Sequence, residues 1–293
     1  MLWGIKMSDN NALINLDGIS DVAIKLLDMI EHFAGWAVSP KGKAADFEEG
    51  LVLYKKSIEQ DTTLTDQEKA VNISLSRTAF RKYTNQAKIV LKAVENLSQS
   101  PDSSHIDEID ADWINTFLSY AENISNEEMQ MIWGKLLAEK VNGNSDINKK
   151  MLQIFSCIER EDIEVFYKLC SMSFVHMNRK GSYYPFIYIK LFPGFYKSLG
   201  IRRYHLASLD NLGLIEYDIH GGFVLPQNIP PLKYDDYKII LNSSKRINNG
   251  NVRFTRSGRA LFSITRAIPQ NDFLSFCKKV WTHENIEYNI VEL

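Results

Sequence analysis

The sequence predicts a mainly α protein, α+β overall: a helical domain with one long helix over residues 1–178 and an α/β domain over 179–293. Three observations carry this. Apolar residues recur at three and four from Leu16 to Phe174, the period of amphipathic helices. A helical pattern runs from Thr65 to about Leu97 without a proline or glycine. Past Gly181 the texture turns to alternating aromatic and β-branched residues broken by glycine and proline, the signature of short strands.

The elements follow in order. Ile19, Val22, Ala23, Leu26, Leu27, Ile30, Phe33 and Ala34 form one stripe, broken by Pro40 and Gly42. Phe47, Leu51, Tyr54 and Ile58 predict a second helix over about 44–60, hairpinned with the first. Thr65 with Glu68 makes a capping box for the long helix, whose length suits bracing other helices or pairing with a second copy. The polar, proline-broken segment 98–104 is a surface loop. Asp112 to Ala121 predicts a short helix; Ser125 with Glu128 predicts a second capping box, and Gly143 closes the helix it starts. Helices are expected over 147–158 and 162–174.

In the second half, Tyr183 to Phe192 reads as a strand ended by Pro193-Gly194. Tyr204, Leu206, Leu209 and Leu212 form a helical face closed by Gly213. Leu214 to Tyr217, His220 to Gly222 and Phe223 to Leu225 read as strand, turn, strand. After a connector from Pro226 to Pro231 come a strand over 237–241, a turn at Asn248-Asn-Gly250 and a returning strand, Val252 to Phe254. Thr255 caps a last helix over about 256–267, ended by Pro269.

Composition narrows the function classes. At 293 residues, 45% hydrophobic and 24% charged, the chain is an ordinary globular protein, long enough for two cores. A net charge of -2 gives no overall attraction to nucleic acid or membranes, so such affinity has to be local. Cys157, Cys170 and Cys277 are too few and too irregular for a disulfide frame, which fits a reducing cytoplasm. The start lacks a signal-peptide core and no apolar run reaches the roughly 18 residues of a membrane span, so a soluble, unprocessed chain is expected.

Chemistry-bearing motifs are sparse. The six histidines have no metal-ligand spacing, and neither Gly42-Lys43 nor Gly134-Lys135 has the upstream glycine of a phosphate-binding loop. Neither a cofactor nor a metal is expected. Asp218, Asp236 and Lys238 satisfy loosely the carboxylate pattern of a magnesium nuclease, a triplet that also arises by chance on an exposed strand edge. Cys157 and Cys170 read as small buried hydrophobes with no base partner. The expectation leans away from an enzyme.

Charge is segregated. Between Tyr237 and Asn271 lie seven basic residues and no acidic one; between Ala93 and Gly134 lie nine acidic residues and no Lys or Arg. Lys245, Arg246, Arg253, Arg256 and Arg259 are the candidate nucleic-acid contacts. Docking of the basic stretch on the acidic one, within or between chains, is the competing reading.

Two resemblances add to this. The order helix, Leu-Gly-Leu-Ile, β-ribbon, Thr-x-x-Gly-Arg-x-Leu-Phe is similar to a winged-helix domain, in which the short helix before the wing can enter a DNA groove and the wing touches phosphate. Such folds also serve as protein-interaction modules. The stretches Asp112-Trp-Ile-Asn-Thr-Phe-Leu-Ser-Tyr-Ala121 and Ile124-Ser-Asn-Glu-Glu-Met-Gln-Met-Ile-Trp-Gly-Lys-Leu-Leu-Ala-Glu139, with the opening helix, resemble the abortive-infection alpha-like family over roughly the first 175 residues. The match departs at Lys140, where Val141-Asn-Gly-Asn-Ser-Asp146 replaces the proline- and glycine-containing continuation.

That resemblance implies a role in bacterial antiviral defence, carried on prophages or defence islands, and supplies no mechanism. The residues themselves read as cap and core, with Glu127, Gln130 and Lys135 the exposed candidates for a partner surface. The leading expectation is a non-catalytic defence protein acting through assembly, as a homo-oligomer or with a defence-system partner, and sensing nucleic acid or protein. The alternatives are a winged-helix DNA-binding regulator and a cryptic magnesium nuclease.

Overall fold

The computed structural model describes residues 20–34, 47–97, 104–177, 183–187, 193–225, 229, 231–243 and 246–293. Pro40, Gly42, the loop before residue 104, the second half of the strand expected over 183–192, and Lys245 lie outside the described residues. The fold is α+β, and the chain divides into two compact units, one ending at Leu152 and the other spanning Gln153–Leu293. Among the described residues no helix is long and apolar enough to cross a membrane.

In the first unit, α1 (Asp21–Ala34) buries Val22, Ala23, Leu26, Leu27 and Ile30, the stripe its spacing foretold. Each such branched side chain contributes about 1.5–3 kcal/mol on leaving water. Then come α2 (Phe47–Gln60) and α3 (Asp66–Asn96). Thr65 Oγ1 accepts from Glu68 N while Glu68 Oε2 accepts from Thr65 N at 2.8 Å, the expected capping box. α4 (Ser104–Asp107) and α5 (Ala111–Ala121) lead to α6 (Glu127–Val141). The α6 cap is Asn126, whose Oδ1 accepts from Met129 N at 3.0 Å, one residue later than the expected Ser125. Gly143 takes φ +84°, the left-handed stop expected of it.

The crossing of α3 and α6 sets the core of this unit. A Cβ on Gly134 would fall 2.7 Å from Lys92 Cβ and 3.1 Å from Ala93 N, so the helices approach with backbone nearly on backbone. Around them Trp113 stacks on Phe117 at 5.3 Å, and Phe117 meets Trp133 at 5.5 Å.

α7 (Lys149–Cys157) is followed, in the second unit, by α8 (Arg160–Ser171) and β1 (Ser173–His176). The helix expected over 162–174 is corrected at its end, where Ser173 and Phe174 open β1, a strand inside the sheet; the sequence put the domain boundary at 178, while the two compact units divide after Leu152 and α8 packs on helices of the C-terminal half. β2 (Tyr183–Pro185) precedes α9 (Pro193–Ser198), so Pro193 opens a helix where proline's missing N–H costs nothing. α10 (Arg203–Asn211) ends before Gly213 at φ +73°.

The strands pair differently from the local hairpins expected. β3 (Ile215–Tyr217) and β4 (Phe223–Val224) do not pair with each other: β4 pairs with β7 (Asn248–Gly250) and β3 with β8 (Val252–Phe254), all antiparallel. They extend one irregular ribbon. The Asn248-Asn-Gly250 segment is therefore strand, not turn. β5 (Leu232–Tyr234) and β6 (Tyr237–Asn242) form a hairpin turned at Asp235, φ +53°.

After α11 (Arg256–Thr265), capped by Thr255 as expected, α12 (Phe273–His283) and β9 (Glu287–Glu292) complete the unit. The five-stranded sheet runs β2-β1-β5-β6-β9. An aromatic cluster fills its core: Phe174 lies 5.5 Å from Phe186, 5.7 Å from Phe273 and 5.8 Å from both Tyr234 and Trp281. The Tyr234 hydroxyl donates to Ser171 O at 2.8 Å and accepts from Gln270 N at 2.9 Å, and burial pushes its pKa up.

Overpacking typically costs about 1–3 kcal/mol, and a leucine at the α3–α6 crossing forces far more volume into it than a methyl. Gly134→Leu is therefore expected to lower the unfolding free energy by upward of about 2 kcal/mol in a denaturant melt, despite leucine's better helix propensity. A melt matching wild type would contradict the close crossing.

Candidate nucleic-acid interface

α10 is held by polar contacts on its inner side. Arg202 N–H donates to His205 Nδ1 at 3.1 Å, which leaves the neutral ring's proton on Nε2, 2.8 Å from Glu161 Oε1 on α8. Ser208 Oγ donates to Asp162 Oδ1 at 2.7 Å. With His205, Leu206 and Leu209 buried, the first turn of α10 presents Arg203 and Tyr204 outward, next to an exposed Arg202. Tyr204 is 64% exposed, its ring 4.1 Å from His205. Two arginines followed by a large aromatic at the start of a fixed helix are chemistry that pairs with phosphate and stacks on bases.

The ribbon begins just after this helix. Arg253 pairs with Glu216 directly across β3–β8 and lies over the Phe223 ring, 4.8 Å from its centroid. Arg259 is half-buried and donates to Phe254 O at 3.2 Å. Arg246 and Arg256 are exposed, the latter in the first turn of α11. Of the five basic candidates, Arg246, Arg253 and Arg256 are exposed, Arg253 being paired with Glu216, Arg259 is half-buried, and Lys245 is outside the described residues. Arg202, Arg203 and Tyr204 went unread as a site in the sequence, which put Tyr204 on the apolar face with Leu206 and Leu209; that reading is corrected, because His205 takes the inner place and Tyr204 turns outward.

The partner-surface expectation is corrected. Only Glu127 is exposed; Gln130 is 1% and Lys135 9% exposed, because they flank Gly134 on the helix that crosses α3 most closely. Gln130 Nε2 donates to Ile124 O at 2.9 Å, Gln86 Nε2 to Leu118 O and Asn85 Nδ2 to Glu122 O, each at 3.0 Å. These amides satisfy carbonyls where α5 ends and the loop to α6 begins. Part of the acidic stretch is paired locally too: Asp107 meets Lys25, Asp110 and Asp112 meet Lys149, and Glu122 meets Lys82.

The nuclease triplet lacks a shared pocket of carboxylates. Asp218 closes its own loop: Oδ1 accepts from His220 N at 2.8 Å and Gly221 N at 3.1 Å, and Oδ2 from Gly222 N at 2.9 Å. Asp236 lies in the β5–β6 turn and Lys238 on β6, in the other sheet. Among the described residues no three His, Cys, Asp or Glu side chains are placed to hold a metal ion. Cys170 and Cys277 are buried, which raises their thiol pKa values; Cys157 is exposed, against the expectation that it is buried. A cleft of about 350 Å³ in the second unit is walled by stacked Tyr183 and Phe262 with Lys233, Asp235 and Arg266 at its edge. The Ser171, Ser173 and Ser263 hydroxyls lining it donate to helix carbonyls.

Residues 72–278 match a family described as a protein of unknown function, DUF2806. The chain belongs to that family. The match begins within α3 and ends within α12, so it takes in α6, α10 and the ribbon. No curated protein and no solved structure matches the chain.

The hydrogen bonds from Gly221, His220 and Gly222 hold the Asp218 carboxyl below the usual carboxylate range. The loop contacts are therefore present above the ordinary carboxyl pKa and are lost as pH falls through the lowered value. An NMR titration should show the His220, Gly221 and Gly222 amides shifting together with a midpoint below about 3.9, the unperturbed Asp value. A midpoint at or above that value would contradict the loop geometry.

Proposed function

We propose that this protein is a non-catalytic binding protein of bacterial antiviral defence, working in the cytoplasm, whose helical unit assembles and whose C-terminal unit contacts nucleic acid through α10 and the ribbon. The observation that carries the reading is the outward Arg203–Tyr204 pair on a helix braced from behind by His205–Glu161 and Ser208–Asp162. A short helix placed just before a two-stranded ribbon is also the arrangement by which winged-helix domains reach a groove and its phosphates. Exposed Arg246 on the ribbon side adds a phosphate-directed charge. The defence setting rests on the resemblance of the α5–α6 segment to the abortive-infection alpha-like family.

The ribbon's Arg253 holds its guanidinium against Glu216 and Phe223, which suits shaping the ribbon more than gripping phosphate. The contact surface therefore centres on α10, with the ribbon beside it. A salt-dependent duplex affinity follows, since each neutralised phosphate releases counterions.

Fluorescence anisotropy with a mixed-sequence duplex tests this at low and moderate salt. Binding is expected to weaken steeply with salt, Arg203→Ala to reduce the log–log salt slope by about 1, and Tyr204→Ala to weaken binding with little change of slope. No binding at low salt, or binding untouched by both substitutions, would overturn the reading.

A further inference from the structure

One face of α3 changes surroundings along its length. Val71, Leu75, Thr78, Lys82, Gln86, Ile89 and Ala93 recur at three and four and so share that face. From Lys82 onward it is covered: Lys82 pairs with Glu122, Gln86 bonds Leu118 O, Ile89 is 0% exposed, and Gly134 of α6 abuts Ala93. α2 packs on a different side, where Lys69 Nζ reaches Glu59 O and the Phe80 ring faces Gly50. Before Lys82 no described residue covers the face, with Val71 58% and Leu75 65% exposed.

The bare half is complementary to itself. Acidic Glu68 lies at one end, basic Lys82 at the other, and Leu75 sits midway between them. A two-fold axis through Leu75 brings two copies of α3 together antiparallel. Leu75 then meets Leu75, Val71 meets Ala79 twice, and Glu68 meets Lys82 twice. An ammonium has three donors, so Lys82 can keep Glu122 while receiving the second carboxylate.

We infer that a second copy of this chain covers the bare half of α3 through this antiparallel pairing. The proposal rests on the assembly part of the functional reading and names its surface and register. Each tip of α3 then continues, on its neighbour, the cover that α5 and α6 give the same face further along. A partner of another kind would have to present the same charge order reversed, which this helix itself supplies.

Light scattering coupled to size exclusion on the full chain is the test. Wild type is expected to be a dimer, and Leu75→Glu a monomer whose circular dichroism matches wild type, since the position is exposed, and whose melting temperature no longer depends on protein concentration. Glu68→Lys and Lys82→Glu, each alone, put like charges opposite each other and are expected to weaken the dimer about tenfold. An equimolar mixture of those two variants restores opposite charges and should dimerise again. A monomeric wild type would overturn both the assembly reading and this pairing. A dimer indifferent to Leu75→Glu would overturn the α3 surface and leave assembly standing, and a mixture that fails to recover would overturn the register.

Discussion

The first unit depends on how closely α6 crosses α3 at Gly134. That approach leaves α6 buried on most sides, so Trp133, Leu136 and Leu137 lose water together with the polar Gln130 and Lys135. Burying polar groups costs stability unless they are hydrogen-bonded. The amide N–H groups of Asn85, Gln86 and Gln130 meet that demand with the carbonyls of Glu122, Leu118 and Ile124, while Gln130 Oε1 is buried without a hydrogen-bond partner among the described residues. The most motif-like stretch of the chain is thereby accounted for as a joint. The exposed apolar residues of α3, Val71 and Leu75, lie on another stretch of the unit.

The second unit has a different organiser. Phe174, Phe186, Tyr234, Phe273 and Trp281 come from four separated segments, the last two both from α12, and meet in one cluster. Tyr234 ties two of them further, bonding Ser171 O and Gln270 N. Because α12 and β9 close this core, the ribbon of β3, β4, β7 and β8 is a separate feature of the unit, beside α10. Glu216 and Phe223 hold Arg253 in place on that ribbon.

Local signals were legible where the physics is local. Thr65 and Thr255 as caps, Gly143 and Gly213 as stops, and the stripe of α1 follow from spacing and backbone preference. Pairing was not, because the partners are distant: β1 joins β5, and β3 joins β8, across stretches that no short-range pattern connects. Asn248-Asn-Gly250 carries a turn signal, yet Gly250 serves a bulged strand against Phe223. The α12 face of Phe273, Phe276, Cys277, Val280 and Trp281 had a helical period and went unread. Polarity misled at Gln130 and Lys135, since burial there follows from a glycine four residues after one and just before the other. The Arg203–Tyr204 surface needed the knowledge that His205 turns inward, which only the Glu161 contact supplies.

The central claim is that α3 has two halves with different tasks, one a joint and one an interface. Hydrogen exchange on the wild-type chain across a range of protein concentration tests it most directly. Amides of residues 85–93 should be protected at every concentration, while those of 67–80 gain protection as concentration rises. Protection uniform along α3 and independent of concentration would contradict the account.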